Sequence, residues 1–147
     1  TLIPKHYLTE KHIRQRKPLT ARAKRQDWIG STIDLTPIPA SGKILLIDRM
    51  QPIDRETVRR QWRAHLFLRD DTTQKTWLLA VMRCLEELPD SFTLADCYRF
   101  VPTLQRAYPD NRNIEAKIRQ QLQTLRDRGQ LTFLGRGRYQ KTRPQVP

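Results

Sequence analysis

Asn113-Ile-Glu-Ala-Lys-Ile-Arg-Gln-Gln-Leu-Gln-Thr-Leu-Arg-Asp-Arg-Gly129 is followed at once by Leu131-Thr-Phe-Leu-Gly-Arg-Gly-Arg-Tyr-Gln140. The first run places Ile114, Ile118, Leu122 and Leu125 at three- and four-residue steps, the spacing of one apolar helix face. Asn111 or Asn113 supplies an N-cap and Gly129 a left-handed stop. The second run reads as strand, glycine turn and strand, which is a hairpin. A helix feeding a hairpin whose turn is Gly135-Arg-Gly137 is the closing half of a winged helix.

Working back from there, the helical period begins at Asp54, a plausible N-cap for a helix carrying Val58, Trp62 and His65/Leu66. A second helix follows Asp71-Thr-Thr73 and carries Trp77, Val81, Leu85 and Leu88 on one stripe, until Pro89-Asp-Ser breaks it. Thr93 and Asp96 form a capping-box pair opening a short helix through Leu94, Cys97, Tyr98 and Val101. Pro102 can start a further turn to Tyr108. Residues 1–53 differ: they are punctuated by Pro4, Pro18, Pro37, Pro39 and Pro52, and Lys43-Ile-Leu-Leu-Ile47 is the clearest strand candidate. The predicted fold class is therefore α+β, mainly α. A short mixed segment at 1–53 precedes a winged-helix domain at 54–147, with a three-helix helix-turn-helix core and a β-hairpin wing.

Charge narrows the partner. The 147 residues hold 28 Lys and Arg against 15 Asp and Glu, a formal net charge of +13. A field of that sign draws in polyanions. The most apolar run, Ile44 to Ile47, is far too short to span a bilayer, and no apolar N-terminal segment looks like a secretion signal. Seven basic residues and no acid lie between Lys11 and Arg25, the pattern of a solvated arm or a phosphate-binding segment. On the helix from Ile114, the face opposite the apolar stripe presents Arg112, Asn113, Ala116, Gln120 and Gln123, flanked by Lys117 and Arg119. Amides pair with adenine N6/N7 and arginine with guanine O6/N7, so Arg112, Asn113, Ala116, Lys117 and Gln120 are the candidate base readers. Arg136, Arg138, Lys141 and Arg143 on or after the hairpin are candidates for phosphate, as are Arg16, Lys17 and Arg119.

Signals for catalysis are weak. There is no HExxH, P-loop, GxSxG or Cys/His pair. Glu115-Ala-Lys117 has the letters of a metal-nuclease motif but starts a helix instead of following an Asp-bearing strand, so it reads as a helix-start acid beside a basic residue. Cys84 and Cys97 have no zinc spacing and read as buried thiols. His6, His12 and His65 are scattered singly. No metal or catalytic site is expected within the chain.

Gln15-Arg-Lys-Pro-Leu19, Trp28-Ile-Gly30, Ile33-Asp-Leu35, Leu66-Phe-Leu-Arg69, Lys117-Ile-Arg-Gln-Gln-Leu-Gln123, Leu125-Arg-Asp127 and Gly135-Arg-Gly137 resemble, in collinear order, the DpnI-type restriction endonucleases of the Dam-replacing family. That family joins a PD-(D/E)XK nuclease domain to a C-terminal winged helix and cuts GATC when its adenine carries an N6-methyl group. The resemblance implies that residues 1–53 are the end of a nuclease-like domain. It also implies that the family's magnesium-binding carboxylates and zinc cysteines lie upstream of the part matched here. It casts Trp28 as the indole that touches the methylated adenine. The partner it implies is adenine-methylated GATC duplex, bound by a monomer in a bacterial cytoplasm, with the missing nuclease domain as a further partner. The chain opens on Thr1, which fits a fragment or a processed product of such an enzyme. The alternative is a winged-helix transcription regulator or partner-binding module indifferent to methylation.

Overall fold

The computed structural model describes residues 1–69 and 72–142, without the side chains of 72–74. It divides into two compact units, Thr1–Leu66 and Phe67–Pro147.

In the first unit, 3-10 turns at Lys5–Tyr7 and Glu10–His12 lead into β1 (Ile13–Gln15), which pairs antiparallel with β2 (Ser31–Ile33) in the register Ile13 to Ile33. A two-residue hairpin joins β3 (Ile47–Asp48) to β4 (Gln51–Pro52), and α1 (Arg55–Ala64) follows. Asp54 caps α1 as expected, accepting from the Thr57 N–H at 2.9 Å. The strand expected over Lys43–Ile47 does not form as one piece. Ile44 alone bridges to Leu2, Leu45 and Leu46 stand exposed, and pairing resumes only at Ile47. A strand needs a neighbour along its length, and here each neighbour extends for only one or two residues.

The division between the units falls later than residue 54, because α1 packs with the N-terminal segment. The His6 and Trp62 rings meet edge to face at 5.5 Å, and those of Tyr7 and His65 at 5.7 Å. His6, His12 and His65 are all buried, and the rings of His6 and His65, distant in the sequence, both meet that of Tyr7.

The second unit contains α2 (Thr72–Glu86), β5 (Ser91–Thr93), α3 (Leu94–Tyr98), α4 (Val101–Ala107), α5 (Ile114–Asp127), β6 (Leu131–Gly135) and β7 (Arg138–Lys141). Its helical core is therefore α2, the α3–α4 pair and α5, with α1 excluded. The sheet has the order β5-β7-β6, all antiparallel. The strand β5 was hidden in the sequence because it is three residues long and ends on the capping Thr93. That cap is reciprocal. Asp96 accepts from the Thr93 N–H at 2.8 Å and its own N–H donates to the Thr93 hydroxyl at 3.2 Å.

Ile114, Ile118, Leu122 and Leu125 of α5 are buried, as are Leu78, Leu79, Val81, Met82 and Leu85 of α2 and Phe92, Cys97, Leu104 and Leu131, and α5 packs with α2, α3, α4 and β6. Burial pushes the Cys97 thiol up to about 12 and that of half-buried Cys84 up to about 11, which makes both inert core sulfurs. Gly129 (φ 69°) closes α5: its N–H donates to Arg126 and that of Gln130 to Leu125, at 2.9 and 2.8 Å. Those are the two bonds of a Schellman end.

Leu122 is 0% exposed. Leu122→Ala is expected to cost about 2–5 kcal/mol by lost transfer energy and a cavity. Urea unfolding followed by circular dichroism checks it, with an unchanged midpoint ruling out α5 as the keystone of this unit.

Candidate nucleic-acid interface

With its aliphatic stripe and Gln121 buried, α5 leaves its other side chains exposed or half-buried. Arg112, Asn113, Arg119 and Gln123 are exposed, and Ala116, Lys117 and Gln120 are half-buried along the same helix. Their groups are partly committed. The Asn113 side-chain oxygen accepts from the Ala116 N–H at 3.3 Å, so this residue caps the helix and offers only its amide N–H2 outward. Lys117 Nζ donates to Gln120 Oε1 at 2.9 Å, which leaves Gln120 Nε2 as the outward-facing donor. Arg119 donates to the Tyr98 hydroxyl at 2.5 Å and lies 3.9 Å from Glu115, which fastens α3 to α5. The helix therefore presents mainly donors, suited to the N7 and O6 acceptors of the major groove and to phosphate.

The wing is set by its turn. Gly135, Arg136 and Gly137 all have positive φ, at 87°, 50° and 71°. Glycines on either side let the chain reverse without steric cost and leave Arg136 at the tip. The Gly137 carbonyl accepts from the Leu94 N–H at 2.8 Å, tying the turn to the start of α3. Behind it the rings of Phe92, Tyr139 and Phe133 run across all three strands, with centroids 5.7 and 5.2 Å apart. Arg136 and Arg138 are exposed and make no ion pair among the described residues. The Lys141 ammonium donates to the Leu88 carbonyl at 2.6 Å and is half-buried, holding β7 to the turn that follows α2. Arg143 lies outside the described residues.

Phe133 and Leu134, 44% and 47% exposed on the wing strand, were not singled out in the sequence. The signal was available: two adjacent apolar residues in a strand with one packed face cannot both point inward. Here the pairing shifts between Phe133 and Gly135, which makes Leu134 the extra residue of a bulge.

In the first unit, the loop between β1 and β2 exposes Arg16, Lys17, Arg22, Lys24 and Arg25. Trp28 is 47% exposed, with its six-membered ring laid on Gly30. A Cβ at position 30 would meet Trp28 Cη2 and Cζ3 at 2.6 Å and Arg16 Cδ at 3.3 Å. Arg16 also donates its N–H to the Gly30 carbonyl at 2.9 Å. Indole, glycine and arginine thus form one small platform. Arg14 is spent on Asp34, to which its Nε and a terminal nitrogen donate at 2.9 and 2.7 Å. With the Thr36 N–H as the larger cause and Arg14 the next, Asp34 is held at about 2 instead of 3.8.

Among the described residues, no three His, Cys, Asp or Glu side chains come together in a way that fits the magnesium or zinc of the resembled family. Glu115 and Lys117 lie on α5, where Glu115 pairs with Arg119 and Lys117 with Gln120. No helix of the described residues is long and apolar enough to cross a membrane.

The sheet order, the helix succession and the donor-rich α5 beside an arginine-tipped hairpin define a winged-helix DNA-binding domain. Residues 73–141 match the Dam-replacing HTH domain, DpnI_C, and residues 1–71 match the Dam-replacing family, DpnI. The chain belongs to the Dam-replacing family.

Two outcomes test the first unit. Gly30→Ala should lift the indole off its platform, read as a shifted resonance in fluorotryptophan NMR for Trp28 alone, with Trp62 and Trp77 unmoved; an unshifted Trp28 signal contradicts the packing. For Asp34, a folded pKa below the unfolded one means that its stabilising contribution is complete above about 3.8 and lost as pH falls through about 2. Asp34→Asn should flatten that acid limb, and an unchanged acid-unfolding curve would show that the carboxylate has no such role.

Proposed function

We propose that the chain binds double-stranded DNA at GATC sites carrying N6-methyladenine, with α5 in the major groove and the wing on the phosphates. The observation that carries this reading is the α5 face, which has no acid at its centre before Asp127 at the helix end, where Arg112, Lys117 and the free amide hydrogens of Asn113 and Gln120 lie on one winged helix with Arg136 and Arg138. The methyl group leaves adenine one N6 hydrogen, so bidentate amide pairing is weakened and apolar contact gains weight. Half-buried Ala116 permits close approach on α5, and the half-exposed indole of Trp28 offers an apolar face of the kind that gains by covering a methyl group.

The same reading takes residues 1–53 as the closing part of a PD-(D/E)XK nuclease domain, within a restriction enzyme acting as a monomer in a bacterial cytoplasm. Ile13, Ile29, Ile33, Ile47 and Met50 of the first unit stand 51–90% exposed, as expected of a segment that packs under further chain. Magnesium and structural zinc would then be held by residues upstream of those matched here, and cleavage would be supplied from there.

Affinity should fall by a few decades between ~50 and ~200 mM salt if about five to eight phosphates are contacted. Titration of matched unmethylated, hemimethylated and fully methylated GATC duplexes tests the specificity, and equal affinities would favour a methylation-indifferent regulator. Replacing Arg136 and Arg138 by Ala should weaken all duplexes alike and lower the salt slope by about one for each lost contact. Gln120→Ala should cost roughly 1–3 kcal/mol on the methylated site and much less on random DNA. The reverse pattern would exchange the roles of wing and helix.

A further inference from the structure

On the side of α5 that faces α2, the apolar stripe is interrupted. Gln121 sits two turns after Ile114, at a core position, and is 0% exposed, yet neither Oε1 nor Nε2 has a hydrogen-bond partner. Its amide lines a cavity of about 40 Å³ within the second unit, together with Lys75 and Leu78 of α2, Thr124 of α5, and Arg128. By the space one water needs, that is room for roughly three water-sized groups. Lys75 is 8% exposed. Arg128 lies at the exposed rim with its guanidinium carbon 5.5 Å from the centre of the Phe67 ring. The Thr124 hydroxyl already donates to the Gln120 carbonyl at 3.1 Å. No acidic side chain appears among the described residues that line the cavity.

A buried amide without partners is costly to keep, and a core position ordinarily holds a leucine. Lys75 and Arg128 line the same cavity as that amide and add positive charge, with no acidic side chain among the described lining residues. We propose that this cavity binds a small oxyanion, with inorganic phosphate as the fitting member of the class. Its ionised oxygens would accept from Lys75 Nζ, Gln121 Nε2 and the Arg128 guanidinium. Its remaining O–H would donate to Gln121 Oε1, so both ends of the amide are satisfied at once. Sulfate has the same shape but no proton at neutral pH and would leave Oε1 orphaned. A site built around that hydroxyl therefore prefers phosphate. Burial lowers the Lys75 pKa, a penalty that an anion seated beside its ammonium would offset. The site is independent of DNA binding, since it lies on the packed side of α5 and is read without DNA.

The test is a titration of the full ¹⁵N-labelled chain with inorganic phosphate, sulfate and chloride at equal ionic strength. The side-chain amide signal of Gln121, assigned by its loss in Gln121→Leu, is the readout. Basic side chains elsewhere will attract phosphate too, so only this buried signal counts. The expected result is a saturating shift with phosphate, at least about tenfold weaker binding of sulfate, and loss of the shift in Lys75→Met, which keeps the apolar stem. Should Lys75→Met fail to fold, Arg128→Ala, at an exposed position, must weaken phosphate binding severalfold. A Gln121 signal that phosphate does not move, or one that moves equally with sulfate or persists unchanged in these variants, overturns the proposal and leaves a cavity that holds water alone.

Discussion

Ile114, Ile118, Leu122 and Leu125 must leave water together, and they can do so only if α5 lies against α2 in a single rotational setting. Each such side chain gains about 1.5–3 kcal/mol on burial, so rotating the helix by one residue would forfeit several times what any surface contact returns. That constraint decides what the outer face of α5 displays. Arg112, Lys117, Gln120 and Gln123 point outward because of where the leucines go. The helix ends are held to the same setting by the Asn113 cap at one end and the Schellman bonds at Gly129 at the other. The outer face of α5 is thus a consequence of core packing, and its own polar groups contribute little to holding it in place.

The wing depends on that core at one remove. β7 lies between β5 and β6, and the rings of Phe92, Tyr139 and Phe133 cross the sheet in register. Lys141 adds a clamp by donating to Leu88 in the turn that follows α2, and the Gly137 carbonyl is bound by Leu94. Arg136 is therefore presented by a hairpin anchored at its base and near its tip. Within the same core, Gln121 is the one buried side chain of α5 that works against stability. An orphaned amide costs about 1–3 kcal/mol, and this one lines a cavity that Lys75 and Arg128 share with Phe67, Leu68 and Leu78.

The first unit is organised on a different principle. Its regular elements are two or three residues long apart from α1, and α1 itself has no fully buried residue. What holds it is a knot of rings and prolines, with Tyr7, Ile38, Pro4 and Pro39 among its most deeply buried side chains. Aliphatic residues stand outside that knot. This is the condition of a segment with more apolar surface than its own elements can cover.

Much of the second unit was legible in the sequence, because its signals are local. Helical periodicity, the Thr93–Asp96 capping box, the stop at Gly129 and the glycine-flanked arginine of the wing each act within a few residues. The basic surplus and the polar outer face of α5 followed from composition and pitch alone. Other features required partners distant in the chain. The strand β5 exists because β7 pairs with it, and Lys141 is committed because Leu88, in the turn after α2, lies nearby. Trp28 rests on Gly30 beside Arg16, and α1 joins the first unit because Trp62 and His65 meet His6 and Tyr7. Periodicity along a chain tells which residues must be buried and which remain free; it carries no information about which distant group will take a free donor. The sequence by itself therefore determined the winged helix and the charge of its surface. Only the tertiary structure decided which of those charges are still available to a ligand, since hydrogen bonds over long separations are made by packing.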